Sequence, residues 1–297
     1  NDGQILEEGI NEAGSISSFI AAGTSYSNYN INLIPFFIYY SIFGFQRIGD
    51  FIWAAADMRT RGFLIGATAG KTTLAGEGLQ HQDGNSHLMA SAIPNLRAYD
   101  PAFSYEIAVI IHHGLLEMYE WQNDIFYYLT LENENYIHPP LIDEKIKEGI
   151  IKGIYPIKNN KKNKKIKVQL LASGPMLNEA IAASLLLEKD WDIDASVWSV
   201  TSYSELHKEA ENIRRWNILH PNSTPKKSFL DKKILKDNGP VIAISDYVKL
   251  VAEQISPYVS CPFVALGTDG FGRSDTRERL RDFFEVNRYY ILIIVSG

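Results

Sequence analysis

A repeating order of short apolar runs and helical stretches in the second half of the sequence most limits how this chain can fold. The apolar runs have the length of buried strands: VQLLASG (168–174), SVWSV (196–200), PVIAIS (240–245) and FVALG (263–267). Pro175 stands at the start of the first helical stretch, where its missing N–H group costs nothing. Strands that alternate with helices at this spacing form a parallel sheet with helices on both faces. The pattern predicts a doubly wound α/β domain.

The first half of the sequence shows the same alternation with more aromatic residues. Its apolar runs predict further strands: IPFFIYY (34–40), GFLIGAT (62–68), LRAYD (96–100) and DIFYYLTL (124–131). Helical spacing of apolar residues predicts helices at 10–22, in FGFQRIGDFIWAAADMRTRG and in SYEIAVIIHHGLLEMY. The predicted fold class is therefore α/β, with two tandem open sheets that are mostly parallel. Such folds place their ligands in loops beyond the carboxyl ends of the strands.

A lysine- and asparagine-rich segment separates the two halves. KNNKKNKKIK (158–167) contains six lysines and three asparagines, a composition typical of a solvated linker or hairpin tip rather than a binding patch. We predict a first domain at residues 1–157 and a second domain at 168–297. The sequence begins without Met and stops after the apolar run YYILIIVSG, so we expect the second domain to be truncated.

Composition narrows the class of protein. The net charge is −6 and the basic residues outside that segment are scattered, which argues against a nucleic-acid-binding face. Cys261 is the single cysteine, and the sequence has no stretch of 18 apolar residues, which argues against a disulfide scaffold and a membrane span. The first residues do not have the pattern of a signal peptide. We therefore expect a cytoplasmic protein without nucleic-acid or membrane partners.

The stretch GATAGKTTLAGEGLQHQDGNSH (66–87) contains a GKT that is similar to a phosphate-binding loop. Such a loop needs four residues between its glycines and a helix directly after the lysine. Here Gly66 and Gly70 are separated by three residues, and a glycine-punctuated loop follows Lys71. We predict a strand followed by an active-site loop and no nucleotide phosphate site.

His81 is the candidate catalytic residue of that stretch, because a glycine-rich loop after a strand can present a side chain to a substrate. The alternative is a loop histidine whose ring binds nearby carbonyl groups. His81 and His87 lack the carboxylate or cysteine frame of a metal site, so no metal ligands are predicted and His87 is interpreted as a loop residue.

Two further features of the first half have both structural and functional interpretations. Glu12 belongs to an acidic group at the start of a helix, where negative charge complements the helix dipole. A partly buried glutamate there would instead bind its proton more tightly and could deliver it. The aromatic run FFIYYSIFGF (36–45) is by default core, but its rings could form a flat wall for a heterocycle.

Taken together, several long strings resemble the homodimeric bacterial pyruvate dehydrogenases: QILEEGINEAG, IPFFIYYSIFGFQRIGD, GFLIGATAGKTTLAGEGLQHQDGNSH and GTDGFGRSDTRERLRDFFEV. This family catalyses the first, decarboxylating step of the pyruvate dehydrogenase complex with thiamine diphosphate. Its members are similar to transketolase and have three α/β domains. The resemblance implies that the present chain corresponds to the pyrimidine-binding and carboxyl-terminal domains.

The resemblance also assigns roles to four residues. Glu12 matches the glutamate whose carboxyl group faces a ring nitrogen of the cofactor's aminopyrimidine. Phe43 matches the ring that stacks on the aminopyrimidine, and Tyr40 matches a neighbouring wall of that pocket. His81 matches the histidine that handles substrate and intermediate and contributes to reductive acetylation of lipoyl groups.

The same resemblance implies partners and a Mg²⁺ ion. In the family, the pyrimidine domain of one subunit faces the diphosphate domain of the other, so a homodimer is expected, with pyruvate as substrate and the lipoyl domains of the dihydrolipoyl acetyltransferase as partner. The GDG and asparagine motif that holds Mg²⁺ is absent from this sequence, and TDGFG (268–272) does not replace it. We interpret GTDGFGRSD as a structural turn with local pairing.

Two alternative functions stay open at this point. One is a transketolase-like enzyme that acts on sugar phosphates. The other is an inactive, dimerising fragment without the domain for diphosphate and Mg²⁺.

Overall fold

The computed structural model describes residues 4–75, 78–141, 143–158, 165–234 and 239–296. The strands are β1 Phe36–Tyr40, β2 Phe63–Ala67, β3 Leu96–Tyr99, β4 Phe126–Leu131, β5 Tyr155–Lys158, β6 Lys167–Ala172, β7 Asp194–Ser199, β8 Val241–Ile244 and β9 Phe263–Leu266. The α-helices are α1 Glu12–Gly23, α2 Ser25–Tyr29, α3 Phe43–Asp57, α4 Ser86–Ser91, α5 Ser104–Leu115, α6 Lys147–Lys152, α7 Met176–Asp190, α8 Tyr203–Leu219, α9 Phe229–Lys233, α10 Leu250–Glu253, α11 Arg277–Phe283 and α12 Arg288–Ser296.

The first sheet has the strand order β1-β2-β4-β3, and all its strand pairs are parallel. Strand β4 lies inside the sheet and is almost entirely buried, because helices cover both faces of a parallel sheet. Strand β1 lies at the edge, and its Phe36, Ile38 and Tyr40 remain exposed. The predicted parallel α/β sheet of the first half is confirmed.

Helix α1 begins at the position where the predicted active-site glutamate lies. The side chain of Asn11 accepts a hydrogen bond from the backbone N–H of Gly14 at 3.1 Å and so caps the helix. Ile16 and Phe19 point into the core of the first domain, against α3 and β1. This cap and this apolar face place Glu12 in the first turn, beside the start of α3.

The second sheet has the order β5-β7-β6-β8-β9, with β5 antiparallel to β7 and all other pairs parallel. It confirms the mostly parallel sheet predicted for the second half. Strand β5 precedes the lysine-rich segment, of which residues 159–164 lie outside the described residues. The domain limits 1–157 and 168–297 and the linker at 158–167 stay predictions.

Buried polar contacts join the two sheets. Glu106 on α5 is fully buried and accepts hydrogen bonds from Tyr155 Oη at 2.5 Å and Ser199 Oγ at 2.7 Å. Burial raises the pKa of Glu106, while hydrogen bonds from Tyr155 and Ser199 oppose that rise. Ser202 Oγ donates to the carbonyl of Ala98 at 2.6 Å. The two domains are therefore held in one relative position by specific groups.

Within the described ranges, no helix has both the length and the apolar character that crossing a bilayer requires.

Candidate functional site

Three predicted site residues form a cluster of rings at the carboxyl ends of β1 and β2. Tyr40 ends β1, Phe43 begins α3, and His81 belongs to the loop that follows β2. The ring centroid of His81 lies 5.5 Å from that of Tyr40 and 5.7 Å from that of Phe43. Tyr40 and Phe43 are 6.0 Å apart. Parallel strands bring these positions together, because their carboxyl ends meet at one edge of the sheet.

Glu12 joins this cluster through Arg47 on α3. Arg47 Nη1 donates to Glu12 Oε1 at 2.7 Å, and the Arg47 guanidinium lies over the ring of Phe43 at 3.9 Å from its centroid. The Glu12 side chain is 20% exposed. Arg47 was not among the predicted site residues, although its place four residues after Phe43 on a helix puts both side chains on one face.

The contacts of Arg47 show what kind of group fits this site. A guanidinium is flat and carries N–H donors. Here it stacks on an aromatic ring and donates to a carboxylate. A flat, nitrogen-containing ring such as an aminopyrimidine has the same shape and can make the same two contacts. The residues present therefore fit the group that the resemblance implies.

The GKT loop binds a carboxylate of the second domain. Asp246 accepts hydrogen bonds from the backbone N–H groups of Lys71 at 3.1 Å and Thr72 at 3.0 Å. Successive backbone N–H groups in a turn form a concave anion site, and here the anion belongs to the protein. The Lys71 side chain is buried, and its Nζ donates to the carbonyls of Thr268 and Gly270. The loop thus locks the two domains together.

The end of the loop is fixed to the first domain. The Asp83 carboxylate accepts hydrogen bonds from the backbone N–H groups of Asn85 at 2.9 Å and Ser86 at 3.0 Å. It also accepts a hydrogen bond from Ser41, which directly follows Tyr40 in the chain. The backbone N–H of Asp83 donates to the carbonyl of Gly70 at 3.1 Å. His81 therefore lies two residues before Asp83, whose side chain and backbone N–H are both fixed by hydrogen bonds.

His87 lies outside the ring cluster that contains His81. It belongs to α4, so its interpretation as a loop residue is wrong. Its ring is buried and contacts Thr130 Oγ1 at 2.9 Å, and burial lowers the pKa of His87, although Asp100 opposes that shift. Within the described residues, no group of three or more His, Cys, Asp or Glu side chains is arranged to hold a metal ion.

Buried carboxyl groups gather where the two domains meet. Burial and the neighbouring Asp100 raise the pKa of Glu132 well above its usual range. Burial also raises the pKa of Asp246 to about 7, although hydrogen bonds from Thr72 and the charge of Arg281 oppose the rise. Asp100 and Glu132 each directly follow a strand, which is the sequence signal that could have identified them.

Family models match both halves of the chain. Residues 1–139 match the pyruvate dehydrogenase E1 component middle domain. Residues 153–287 match the transketolase-like C-terminal domain.

Curated relatives match nearly the whole chain. The pyruvate dehydrogenase E1 component of Pseudomonas aeruginosa is 56% identical over 292 residues, which are 98% of this chain and 33% of the relative. Those of Cupriavidus necator and Escherichia coli are 54% and 51% identical, over 98% and 99% of this chain and 32% and 33% of the relatives. The chain thus spans about one third of the length of the relatives it matches.

Solved structures show the same fold at low sequence identity. Transketolase from Campylobacter jejuni matches with a TM-score of 0.72 at 19% identity. The match covers 98% of this chain and 39% of the transketolase chain. A split-gene transketolase, described as an inactive beta4 tetramer, matches with a TM-score of 0.68 at 18% identity. The match covers 97% of this chain and 82% of the transketolase chain. The transketolase-like α/β fold predicted from the sequence is confirmed.

The first prediction concerns the close approach of Gly70 and Asp246. Gly70 has φ of +78°, and a Cβ there would lie 2.3 Å from Asp246 Oδ2. We expect Gly70→Ala to lower the free energy of unfolding by about 1–3 kcal/mol, through backbone strain and the weakened anion contact. Urea unfolding followed by circular dichroism measures the change.

Gly49→Ala is the matched control, because a methyl group at Gly49 on α3 would meet no neighbouring side chain within 4 Å. It should leave stability unchanged or raise it by up to about 1 kcal/mol. Equal effects of the two substitutions would contradict the proposed anion site.

The second prediction uses the pKa of Asp246. The folded pKa of about 7 exceeds the ordinary value of 3.8, so the folded state binds more protons than the unfolded state between these values and stability falls as pH rises through them. Asp246→Asn removes this titration. We expect its stability relative to the wild type to rise by about 1 kcal/mol per pH unit between pH 4 and 7. Parallel stability curves of both proteins would refute the assignment.

Proposed function

This chain belongs to the family of bacterial pyruvate dehydrogenase E1 components, and we propose on that premise that it provides the pyrimidine-binding half of a thiamine diphosphate site. The complete enzyme would decarboxylate pyruvate and reductively acetylate the lipoyl groups of the acetyltransferase component, which gives acetyl-CoA in the complex. The observation that carries the proposal is the meeting of the four predicted residues in one site, in which Arg47 links Glu12 to the ring cluster of Tyr40, Phe43 and His81.

The residues of this chain would share the work as follows. Thiamine diphosphate, when bound, supplies the carbon nucleophile and the electron sink that decarboxylation of a 2-oxo acid needs. The Glu12 carboxyl group would hold a proton at a ring nitrogen of the aminopyrimidine. Phe43 and Tyr40 would give that ring an apolar face and exclude water. Arg47 would have to leave both Glu12 and Phe43 to admit it.

His81 is the residue we assign to proton transfer at the substrate. Its ring lies beside the proposed aminopyrimidine position and is itself only partly buried. An imidazole can donate or accept a proton near neutral pH. We propose that it acts at the carbonyl oxygen of pyruvate and again when the acetyl unit passes to the lipoyl group.

The binding sites for Mg²⁺ and for the diphosphate group are assigned to a domain outside the present sequence. We propose that Mg²⁺ and the diphosphate are bound by a domain that carries the GDG and asparagine motif, and that the isolated chain does not turn over pyruvate. The exposed Phe36 and Ile38 on edge strand β1 support a homodimer, because exposed apolar side chains beside an edge strand favour association. The single cysteine supports a location in the reducing cytoplasm.

A sugar-phosphate substrate is the second candidate function. The solved structures that this chain resembles are transketolases, but identities of 18–19% show the fold alone. Identities of 51–56% to pyruvate dehydrogenase E1 components favour pyruvate.

Glu12→Gln in the complete enzyme tests the proposal. The substitution keeps the size of the side chain and removes its acid, so we expect kcat for pyruvate to fall by about 100-fold or more. The control is Glu7→Gln at an exposed position just before α1, which should keep wild-type activity. Near-normal turnover by the Glu12 variant would remove Glu12 from its role. Turnover of ketose phosphates but not pyruvate by the wild type would favour the second candidate.

A further inference from the structure

We propose that Gln82 is a positioning residue through which the second domain sets the place of His81. The inference rests on the proposed function, because His81 is the residue assigned there to proton transfer. It gives the second domain a part in catalysis, through the backbone of residues 272–274.

The Gln82 side chain is paired with backbone groups of both domains. It is 3% exposed. Its Oε1 accepts from the backbone N–H of Arg273 at 2.7 Å, and its Nε2 donates to the carbonyl of Arg273 at 2.8 Å. Nε2 also donates to the carbonyl of Leu74 at 3.2 Å. Both donors and the acceptor of the amide are thus used, which fixes the side chain in one orientation.

Glycines permit this close approach of the two segments. A Cβ at Gly272 would lie 2.1 Å from Gln82 Oε1, and one at Gly78 would lie 2.5 Å from Ser274 Oγ. Gly78 also has φ of +78°. A side chain at Gly78 or Gly272 would collide with a residue of the other domain, so the close approach of the two segments requires glycine at both positions.

The interpretation of GTDGFGRSD as a turn with local pairing is wrong for Asp269 and Arg273, although Asp275 does accept a hydrogen bond from the backbone N–H of Thr276 at 2.7 Å. Asp269 accepts a hydrogen bond from the backbone N–H of Lys249 at 2.9 Å, and the backbone of Arg273 pairs with Gln82. These partners are distant in sequence. Sequence reasoning favoured local pairs, since nothing in the string indicates where its backbone groups find partners.

The same segment holds the earlier part of the active-site loop. Arg277 Nε donates to the carbonyl of Thr73 at 2.8 Å. Lys71 Nζ donates to the carbonyl of Gly270 at 2.7 Å. With Gln82, segment 270–277 alone binds described residues of this loop at three places, in addition to Asp246. These residues cannot shift together without breaking partly buried hydrogen bonds, which are costly to leave unmade.

His81 lies where this restraint has the greatest effect. Its own backbone N–H donates to the carbonyl of Gly78 at 3.2 Å. The two residues after it are anchored in different domains, Gln82 in the second and Asp83 in the first. A loop released from Gln82 would let the imidazole move away from Tyr40 and Phe43. A displacement of about 1 Å in a reacting group can cost about 100-fold in rate.

The first part of the test measures the loop in this chain itself. Gln82→Glu keeps the acceptor but turns a donor into an oxygen that faces two carbonyls. Gly272→Ala disrupts the same contact with Gln82 from the second domain and does not change the sequence of the loop that carries His81. We expect both variants to exchange the backbone hydrogens at 79–83 about tenfold faster or more, and to shift the imidazole NMR signals of His81.

Matched controls are Gln46→Glu and Gly49→Ala, both on α3 and away from this contact. They should leave loop exchange and the His81 signals as in the wild type. If one test variant fails to fold, the other decides the result. Wild-type exchange and wild-type His81 signals in a folded variant would overturn the proposal.

The second part measures pyruvate turnover in the complete enzyme. A misplaced proton-transfer group lowers the rate of chemistry more than substrate binding, so we expect kcat to fall about 10- to 100-fold with KM changed less than about threefold. Faster loop exchange with unchanged kcat would show that Gln82 anchors the loop without positioning His81. If the wild type does not turn over pyruvate, the proposed function fails, while exchange and NMR still decide whether Gln82 fixes the loop.

Discussion

The carboxylate of Asp246, held by the backbone N–H groups of Lys71 and Thr72, is the interaction on which the site depends. Asp246 follows a buried strand of the second domain, and the N–H groups belong to the loop that leaves β2 of the first. Because a buried carboxyl group needs hydrogen-bond partners, each domain supplies what the other would lack alone. Residues 70–72 of the loop are therefore fixed against the second domain, and the same loop carries His81.

Different elements of the fold supply different residues of the candidate site. Strand β1 and helix α3 supply the rings and the Arg47 contact that suit a flat heterocycle. The loop after β2 adds His81, and the second domain fixes this loop through Asp246 and the backbone of Arg273. The buried carboxyl groups near the boundary make this junction sensitive to pH, since burial raises the pKa of both Glu132 and Asp246. Stability and the geometry of the site thus depend on the same contacts.

Much of the fold was predictable, whereas the junction between the domains was not. Apolar runs identify the strands because parallel sheets bury both faces. The four proposed site residues came from a family resemblance, and their proximity is a property of the parallel sheet. Asp246 follows a strand as Asp100 and Glu132 do, but the sequence did not indicate its partners, and Gln82 gave no signal. The backbone groups that Asp246 and Gln82 bind in the other domain are far away in the sequence. The spacing of the GKT pattern excluded a nucleotide phosphate site, but only the fold shows that the N–H groups of this loop bind a carboxylate of the protein itself.

Hydrogen exchange at the backbone amides of Lys71 and Thr72, resolved by NMR in this chain, tests the central claim most directly. Both N–H groups are buried against the Asp246 carboxylate. They should exchange as slowly as amides in the middle of strand β6, because opening the loop requires separating the two domains. Exchange within about tenfold of the rate of an unstructured peptide would contradict the account.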